Sequence, residues 1–167
     1  GRIIEGPCGH HDGQNFAKAY DIKFKDEKGK QDYVWQNTYA ISTRMLGTMF
    51  AIHSDDQGLI IPPKLAENQV VIIPIIFDKT KNKVLKQAEK IKKALSNFSP
   101  LLDDRTDSPG RKYSEWELKG IPIRIEIGPR DLEKNQAIVV KRTDGKKQTI
   151  KIKDLKTQVP KMLEEIQ

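Results

Sequence analysis

The sequence predicts an α/β protein in two parts: an α+β part with antiparallel strands over residues 1–68, then an α/β domain with a mixed sheet over residues 69–167. Three observations carry this. Ile121, Ile123, Ile125 and Ile127 alternate with Pro122, Arg124 and Glu126, the two-residue period of a strand with one apolar and one polar face. Residues 70–77 are almost wholly apolar, as in a buried parallel strand, and Val84, Leu85, Ala88, Ile91 and Leu95 then recur at helical spacing over residues 80–98. Between Pro62 and Asn68 the string PPKLAEN separates two apolar runs and marks a domain boundary.

The elements follow in order. The chain opens without Met in a strand-like Arg2, Ile3, Ile4, as an excerpt of a longer polypeptide would. Gly6, Pro7, Gly9 and Gly13 predict an irregular loop over residues 5–13 that brings backbone close to a small ligand. It carries Cys8, His10 and His11, which lack the second Cys/His cluster of a four-coordinate zinc site, so no metal is expected there. Residues 19–25 and 31–41 flank the turn-rich DEKGK as a hairpin, with Ile22 and Phe24 on a dry face and Lys23 and Lys25 on a wet one. Ser42 or Thr43 caps a helix beginning at Arg44, whose stripe is Met45, Leu46, Met49, Phe50 and Ile52. Gly58 stops it, and Leu59, Ile60 and Ile61 return as an apolar strand.

In the second part a short strand falls at Leu101 and Leu102. Ser108 and Pro109 open a helix bearing Tyr113, Trp116 and Leu118 that ends at Gly120. Residues 137–142 and 148–153 form a hairpin about Asp144 and Gly145, and Pro160 opens a terminal helix through Met162, Leu163 and Ile166.

Charge is divided unevenly. The whole chain has 30 Lys and Arg against 23 Asp and Glu, for a net +7. Residues 1–68 hold 8 basic and 9 acidic side chains, leaving 22 and 14 in residues 69–167, so the second part is the one expected to meet a polyanion. The single cysteine excludes an intramolecular disulfide and fits a reducing compartment. No apolar run approaches the ~18 residues of a membrane helix. A soluble, cytoplasmic protein without membrane attachment is expected.

Arg44 is anomalous, because a cation in the first helical turn opposes the helix dipole at a cost of about 0.3–1 kcal/mol. An anion would compensate, and an arginine fork beside free helix N–H groups makes a phosphate clamp. The segment TRMLGTMFAIHSDDQGLIIPPKLAENQVVIIPI resembles the third signature motif of class II aminoacyl-tRNA synthetases. Its SDDQGLIIPP form is similar to prolyl-tRNA synthetases of the archaeal and eukaryotic type. GHHDGQNFAKAYDIKF resembles that family's amino-acid pocket segment, and GRKYSEWELKGIPIRIEIGPRDLE its anticodon-reading region.

The resemblance covers nearly the whole chain and implies a catalytic-core remnant over residues 1–68 followed by an anticodon-binding domain over 69–167. It implies ATP, with Mg²⁺, and proline as ligands, tRNA bearing a proline anticodon as partner, and a homodimeric parent enzyme. Arg44 then contacts ATP phosphates as the catalytic cation, with Ser42, Thr43, Gln36, Glu5 and Cys8 at further ATP-binding positions. His10 and Thr38 line the proline pocket, and Glu117, Arg124, Arg130 and Asp131 approach the anticodon. Glu5 and Cys8 stand where the family usually has Gln and Thr, and a carboxylate beside triphosphate calls for Mg²⁺. The family's first two motifs are absent, so two readings follow: a partial proline–tRNA ligase, inactive alone, or a non-catalytic RNA-binding module derived from one. A threonyl or histidyl enzyme is a more distant third.

Overall fold

In the computed structural model, which describes residues 3–166, the chain divides into two compact units, Gly1–Ala51 and Ile52–Gln167. The first unit contains strand β1 (Cys8–Gly13), helix α1 (Asn15–Ala19), strands β2 (Lys23–Lys25), β3 (Gln31–Tyr33) and β4 (Gln36–Ala40), and most of helix α2 (Arg44–His53). β1 pairs antiparallel with β4, and β2 with β3. The expected hairpin therefore forms, its turn held by Asp26 Oδ1 accepting the N–H groups of Lys28 and Lys30.

Several local expectations are corrected here. The expected loop over residues 5–13 contains a strand, because β4 supplies a full ladder; the register shifts between His11 and Gly13, where Gly13 takes φ 59°. Of the strand-like opening, Arg2 lies outside the described residues, and Ile3 and Ile4 are not in a strand. Neither the dry face of the hairpin nor the stripe of α2 is buried: Phe24 is 46% and Leu46 53% exposed. Two two-stranded ribbons and short helices provide no second layer, and Ala17 is the unit's one buried apolar side chain among the described residues.

The second unit is built around a five-stranded mixed sheet in the order β6-β5-β7-β8-β9. β5 (Val70–Pro74) lies between β6 (Pro100–Leu102) and β7 (Ile123–Ile127) and is parallel to both. β8 (Gln136–Lys141) and β9 (Lys147–Lys151) continue antiparallel. Helix α3 (Lys81–Ala94) connects β5 to β6, α4 (Pro109–Leu118) connects β6 to β7, and α5 (Pro129–Glu133) connects β7 to β8. Helix α6 (Leu155–Glu165) closes the chain. The fold class is α/β, as the periodicities predict.

Alternation within the strands makes the two layers. Val70, Ile72, Ile123, Ile125 and Val139 point to the face covered by α3 and α6, where Val84, Ala88, Ile91, Leu155 and Val159 are buried. Val71 and Ile73 point to the other face, where Tyr113 and Trp116 of α4 pack. Because α4 lies over it, the expected polar face of β7 is buried too, Arg124 and Glu126 included. Helix α5 has no long apolar period and went unread in the sequence. Pro160 sits inside α6 instead of opening it; the carbonyl of exposed Lys156, which the proline ring leaves without an N–H partner, can be hydrated.

Residues 55–61 run along this unit without forming the expected strand. The N–H groups of Leu59 and Ile61 donate to the carbonyls of Leu118 and Gly120 at 3.0 and 3.2 Å. The approach is close enough that a Cβ on Gly58 would lie 2.5 Å from Leu118 Cα, and one on Gly120 2.6 Å from the Leu59 oxygen. Both glycines also have positive φ, 136° and 73°.

Candidate functional site

In the first unit, the β1–β4 register sets His10 opposite Thr38 and Cys8 opposite Ala40. Cross-strand partners share a face, so Cys8, His10, Thr38 and Gln36 point to one side of the ladder. Thr38 Oγ1 donates to Asp12 Oδ2 at 2.7 Å on that same side. On the other side His11 Nδ1 lies 2.7 Å from Asn37 Oδ1, and its ring stacks on Trp35. The side-chain oxygen of Gln36 is buried with no hydrogen-bond partner among the described residues. Such a group is rare and marks a place where a ligand or water donor is needed.

Arg44 opens α2 with no acidic residue in the first turn, as expected. Its nearest anion is Glu5, with Nη1 4.0 Å from the carboxylate, and both side chains remain largely exposed. The carbonyls of Ser42 and Thr43 accept the N–H groups of Met45 and Leu46, each at 3.0 Å, which starts the helix. The structure thus brings Glu5 to Arg44 and His10 to Thr38.

In the second unit, Arg124 is the hub of a buried charged cluster. Its Nη1 donates to Glu117 at 2.6 Å and its Nε to Glu126 at 3.0 Å, with the guanidinium 4.4 Å above the Tyr113 ring. Lys147 approaches Glu126 at 3.7 Å from β9. Burial first, and then the Glu126 carboxylate, hold the Tyr113 hydroxyl well above its ordinary pKa, with Arg124 opposing. The Arg124–Glu126 pair that alternation makes possible is therefore formed, but under α4 and not at the surface.

Arg130 and Asp131 lie elsewhere, on α5 at the carboxyl end of β7. Asp131 is buried and its Oδ2 accepts the N–H of Gly128 at 2.9 Å, capping α5. Arg130 is exposed. The four expected anticodon residues thus form two groups, Glu117 with Arg124 and Arg130 with Asp131. Lys86, Lys90 and Lys93 are exposed on the outer face of α3.

Two further clusters escaped the sequence. Asp103, at the end of β6, accepts from Arg105 at 2.9 and 2.8 Å and from Trp116 Nε1 at 2.8 Å. Buried Lys112 donates to the Asp103 carbonyl at 3.0 Å, so α4 is fastened to the loop before it. Arg105 above all, then Trp116 and Lys112, holds the Asp103 carboxyl well below the usual range. Arg142, nearly fully buried, grips Asp55 through Nη1 at 2.8 Å and donates from Nε to the Glu117 carbonyl at 2.9 Å. That arginine fork likewise depresses the Asp55 pKa. Partners 87 residues apart leave no local signal.

A family model described as the anticodon binding domain matches residues 69–162, more than half of the chain. The chain belongs to the anticodon binding domain family. Similarity also extends over both units. The chain is 41% identical to a proline–tRNA ligase of Natranaerobius thermophilus, an alignment covering 100% of the chain and 35% of that protein. It is 43% identical to one of Clostridium botulinum, over 98% of the chain and 34% of that protein. A third, from Methanococcus maripaludis, is 41% identical over 98% of the chain and 36% of the relative. The chain spans about a third of the length of these curated relatives. The resemblance to prolyl-tRNA synthetases read from the three sequence strings is borne out, and in the anticodon binding domain family member described here all four expected anticodon residues fall within the matched range.

Proposed function

We propose that residues 1–68 are the distal catalytic segment, and residues 69–167 the anticodon-binding domain, of a cytoplasmic proline–tRNA ligase that acts as a homodimer on ATP, proline and tRNA bearing a proline anticodon. The observation that carries this reading is identity of 41–43% running through both units to proteins of that name, not through residues 69–162 alone. A free-standing RNA-binding module would need only the latter.

The residues of the first unit fit a nucleotide. Arg44 is exposed and only loosely engaged by Glu5, leaving its guanidinium for phosphate oxygens, with Ser42 and Thr43 beside it. Gln36 holds an unpartnered acceptor that suits an amino or hydroxyl donor. Glu5 would be the group to face Mg²⁺, and Cys8 shares the ladder face with Gln36. His10 and Thr38, opposite one another, suit the small imino acid. ATP supplies the adenylyl group that activates the proline carboxylate; these side chains bind, orient and offset charge, which is enough for catalysis by positioning.

In the second unit, positive charge supplies sequence-blind attraction to RNA, and directed donors and acceptors supply discrimination. Arg124 is buried and held flat by Glu117, Glu126 and Tyr113, with Nε and Nη1 committed to the two carboxylates and Nη2 outside those bonds as the donor for a base edge, and Arg130 with Asp131 offers a second donor–acceptor set. Titrating tRNAs with a proline anticodon and with a mismatched one at a single salt concentration tests this. Arg124→Ala should cost about 1–3 kcal/mol for the matching tRNA and little for the other. Equal losses for both would reduce Arg124 to a structural or phosphate contact and sink the assignment.

A further inference from the structure

The end of α4 is capped by residues far away in the sequence. A helix leaves its last turn of carbonyls without helical N–H partners. In α4 the carbonyls of Trp116 and Glu117 accept the N–H groups of Ile121 at 3.2 Å and Gly120 at 3.0 Å, which the chain supplies as it turns out of the helix. The Leu118 carbonyl accepts the N–H of Leu59 at 3.0 Å, and the Glu117 carbonyl takes a second bond, from Arg142 Nε at 2.9 Å. A cation at this end also suits the helix dipole.

Arg142 is itself fixed on several sides. Its N–H donates to the Pro122 carbonyl at 2.9 Å, and its Nη1 donates to Asp55 Oδ2 at 2.8 Å, with Nη2 on the other carboxylate oxygen. Asp55 is held in turn: its N–H and carbonyl pair with Gly58 at 3.0 and 3.1 Å, and its Oδ1 accepts the Gln57 N–H at 2.9 Å. A planar fork that engages a carboxylate with two nitrogens and a carbonyl with the third is a geometry that lysine cannot supply. The Arg142 side chain is 2% exposed, so it acts on a bound RNA only through its neighbours.

The neighbour it fixes is Glu117. The carbonyl of that residue accepts from Arg142, and its carboxylate, 2.6 Å from Arg124 Nη1, orients the guanidinium. Asp55, Arg142, Glu117 and Arg124 are thus successive members of one hydrogen-bonded chain, and Asp55 lies before residues 69–162, outside the matched domain. Hydrogen bonds weaken steeply once their angle falls below ~120°, so a tilt of Glu117 would cost Arg124 its aim at a base edge and leave the sequence-blind attraction of the lysines untouched.

We propose that Arg142 and Asp55 are positioning residues for base discrimination, holding the end of α4 so that Glu117 presents Arg124 at the angle that reads a base. The inference rests on the anticodon-binding reading above and adds two residues that it does not use, one of them from the segment before the domain.

The test is a fluorescence titration of the full 167-residue chain, at one salt concentration, with an anticodon stem–loop RNA bearing a proline anticodon and with a mismatched stem–loop. Asp55→Asn keeps the shape and removes the charge; Arg142→Lys keeps the charge and removes the fork. Val159→Ala, in α6 on the opposite face of the sheet, is the control for lost stability alone. Asp55→Asn and Arg142→Lys should each weaken binding of the matched RNA about 3- to 10-fold, within the range of couplings inside one hydrogen-bonded network, and of the mismatched RNA less than about twofold. Val159→Ala should keep the wild-type ratio of matched to mismatched affinity. In an Arg124→Ala background, Asp55→Asn should lower that ratio no further, because its effect passes through Arg124. Where wild type discriminates and Arg124→Ala does not, any of four results overturns this inference and leaves the anticodon reading standing: equal losses on both RNAs, a wild-type ratio in both variants, a ratio lowered as much by Val159→Ala, or a further loss in the Arg124→Ala background. Wild type with no discrimination, or Arg124→Ala that discriminates as well as wild type, overturns both.

Discussion

The grip of Arg142 on Asp55 has a pH signature. The arginine is nearly fully buried, and without a carboxylate partner its charge would rest on the Glu117 carbonyl alone. Asp55 has a folded-state pKa depressed by Arg142, so the pair stabilises the fold above the unfolded carboxylate value of about 3.9, and that contribution is lost as pH falls through the lower folded value. Asp55→Asn should therefore lower the urea midpoint at pH 7, with the gap to wild type narrowing once pH drops below about 4. A gap that stays constant between pH 7 and pH 3 would show that the loss comes from packing and not from charge. At this scale the sequence was informative about residue types and silent about partners. Arg124 and Glu126 are two apart on one strand, so their pairing could be read; Asp55–Arg142 and Asp103–Lys112 need the sheet and α4 assembled before they meet.

Elements were legible where periodicity was long. β5, α3, α4 with its Ser108 cap and the β8–β9 hairpin follow from apolar spacing and turn residues, the cap being visible as Ser108 Oγ accepting from the Arg111 N–H. Helix α5 is one turn and a half, too short for a period, and β1 looked like loop because its glycines are compatible with both. The hardest element to foresee was the extended run 55–61, since its partners are two carbonyls beyond α4. Its packing makes Gly120 demanding in two ways: φ is 73°, and a Cβ would press into the Leu59 backbone at 2.6–2.7 Å. Gly120→Ala should destabilise by roughly 1–3 kcal/mol, combining strain at positive φ with a backbone clash. Gly145→Ala is the control, with φ 62° but nothing within 4 Å of its Cβ, and should cost about 1 kcal/mol. Chemical denaturation of both variants decides it; equal losses would mean the close approach of residues 58–61 contributes nothing beyond the backbone conformation.

At the scale of the whole chain, the two units differ in how much they bury. The second has apolar layers on both faces of its sheet, where each fully buried Ile, Leu or Val contributes about 1.5–3 kcal/mol. In the first, Ile41 is 74%, Phe16 52% and Trp35 67% exposed, and the two ribbons are two strands each. Isolated two-stranded sheets are marginal in water, so the ladder that carries His10, Thr38 and Gln36 has little tertiary packing to hold it within this chain. This also gives a physical ground for expecting the 167-residue chain to be a poor catalyst by itself: groups that act by positioning must be held. Hydrogen exchange on the purified chain should find the amides of β5, β7 and β8 protected to near the global unfolding free energy, and those of β1 and β4 exchanging through local opening at a small fraction of it. Proline and ATP, added together, should slow exchange in β1 and β4 only if the ladder can organise a site unaided. Protection of β1 and β4 equal to that of β5 and β7 in the free chain would show that the first unit is independently stable, and the argument from its exposed apolar surface would fail.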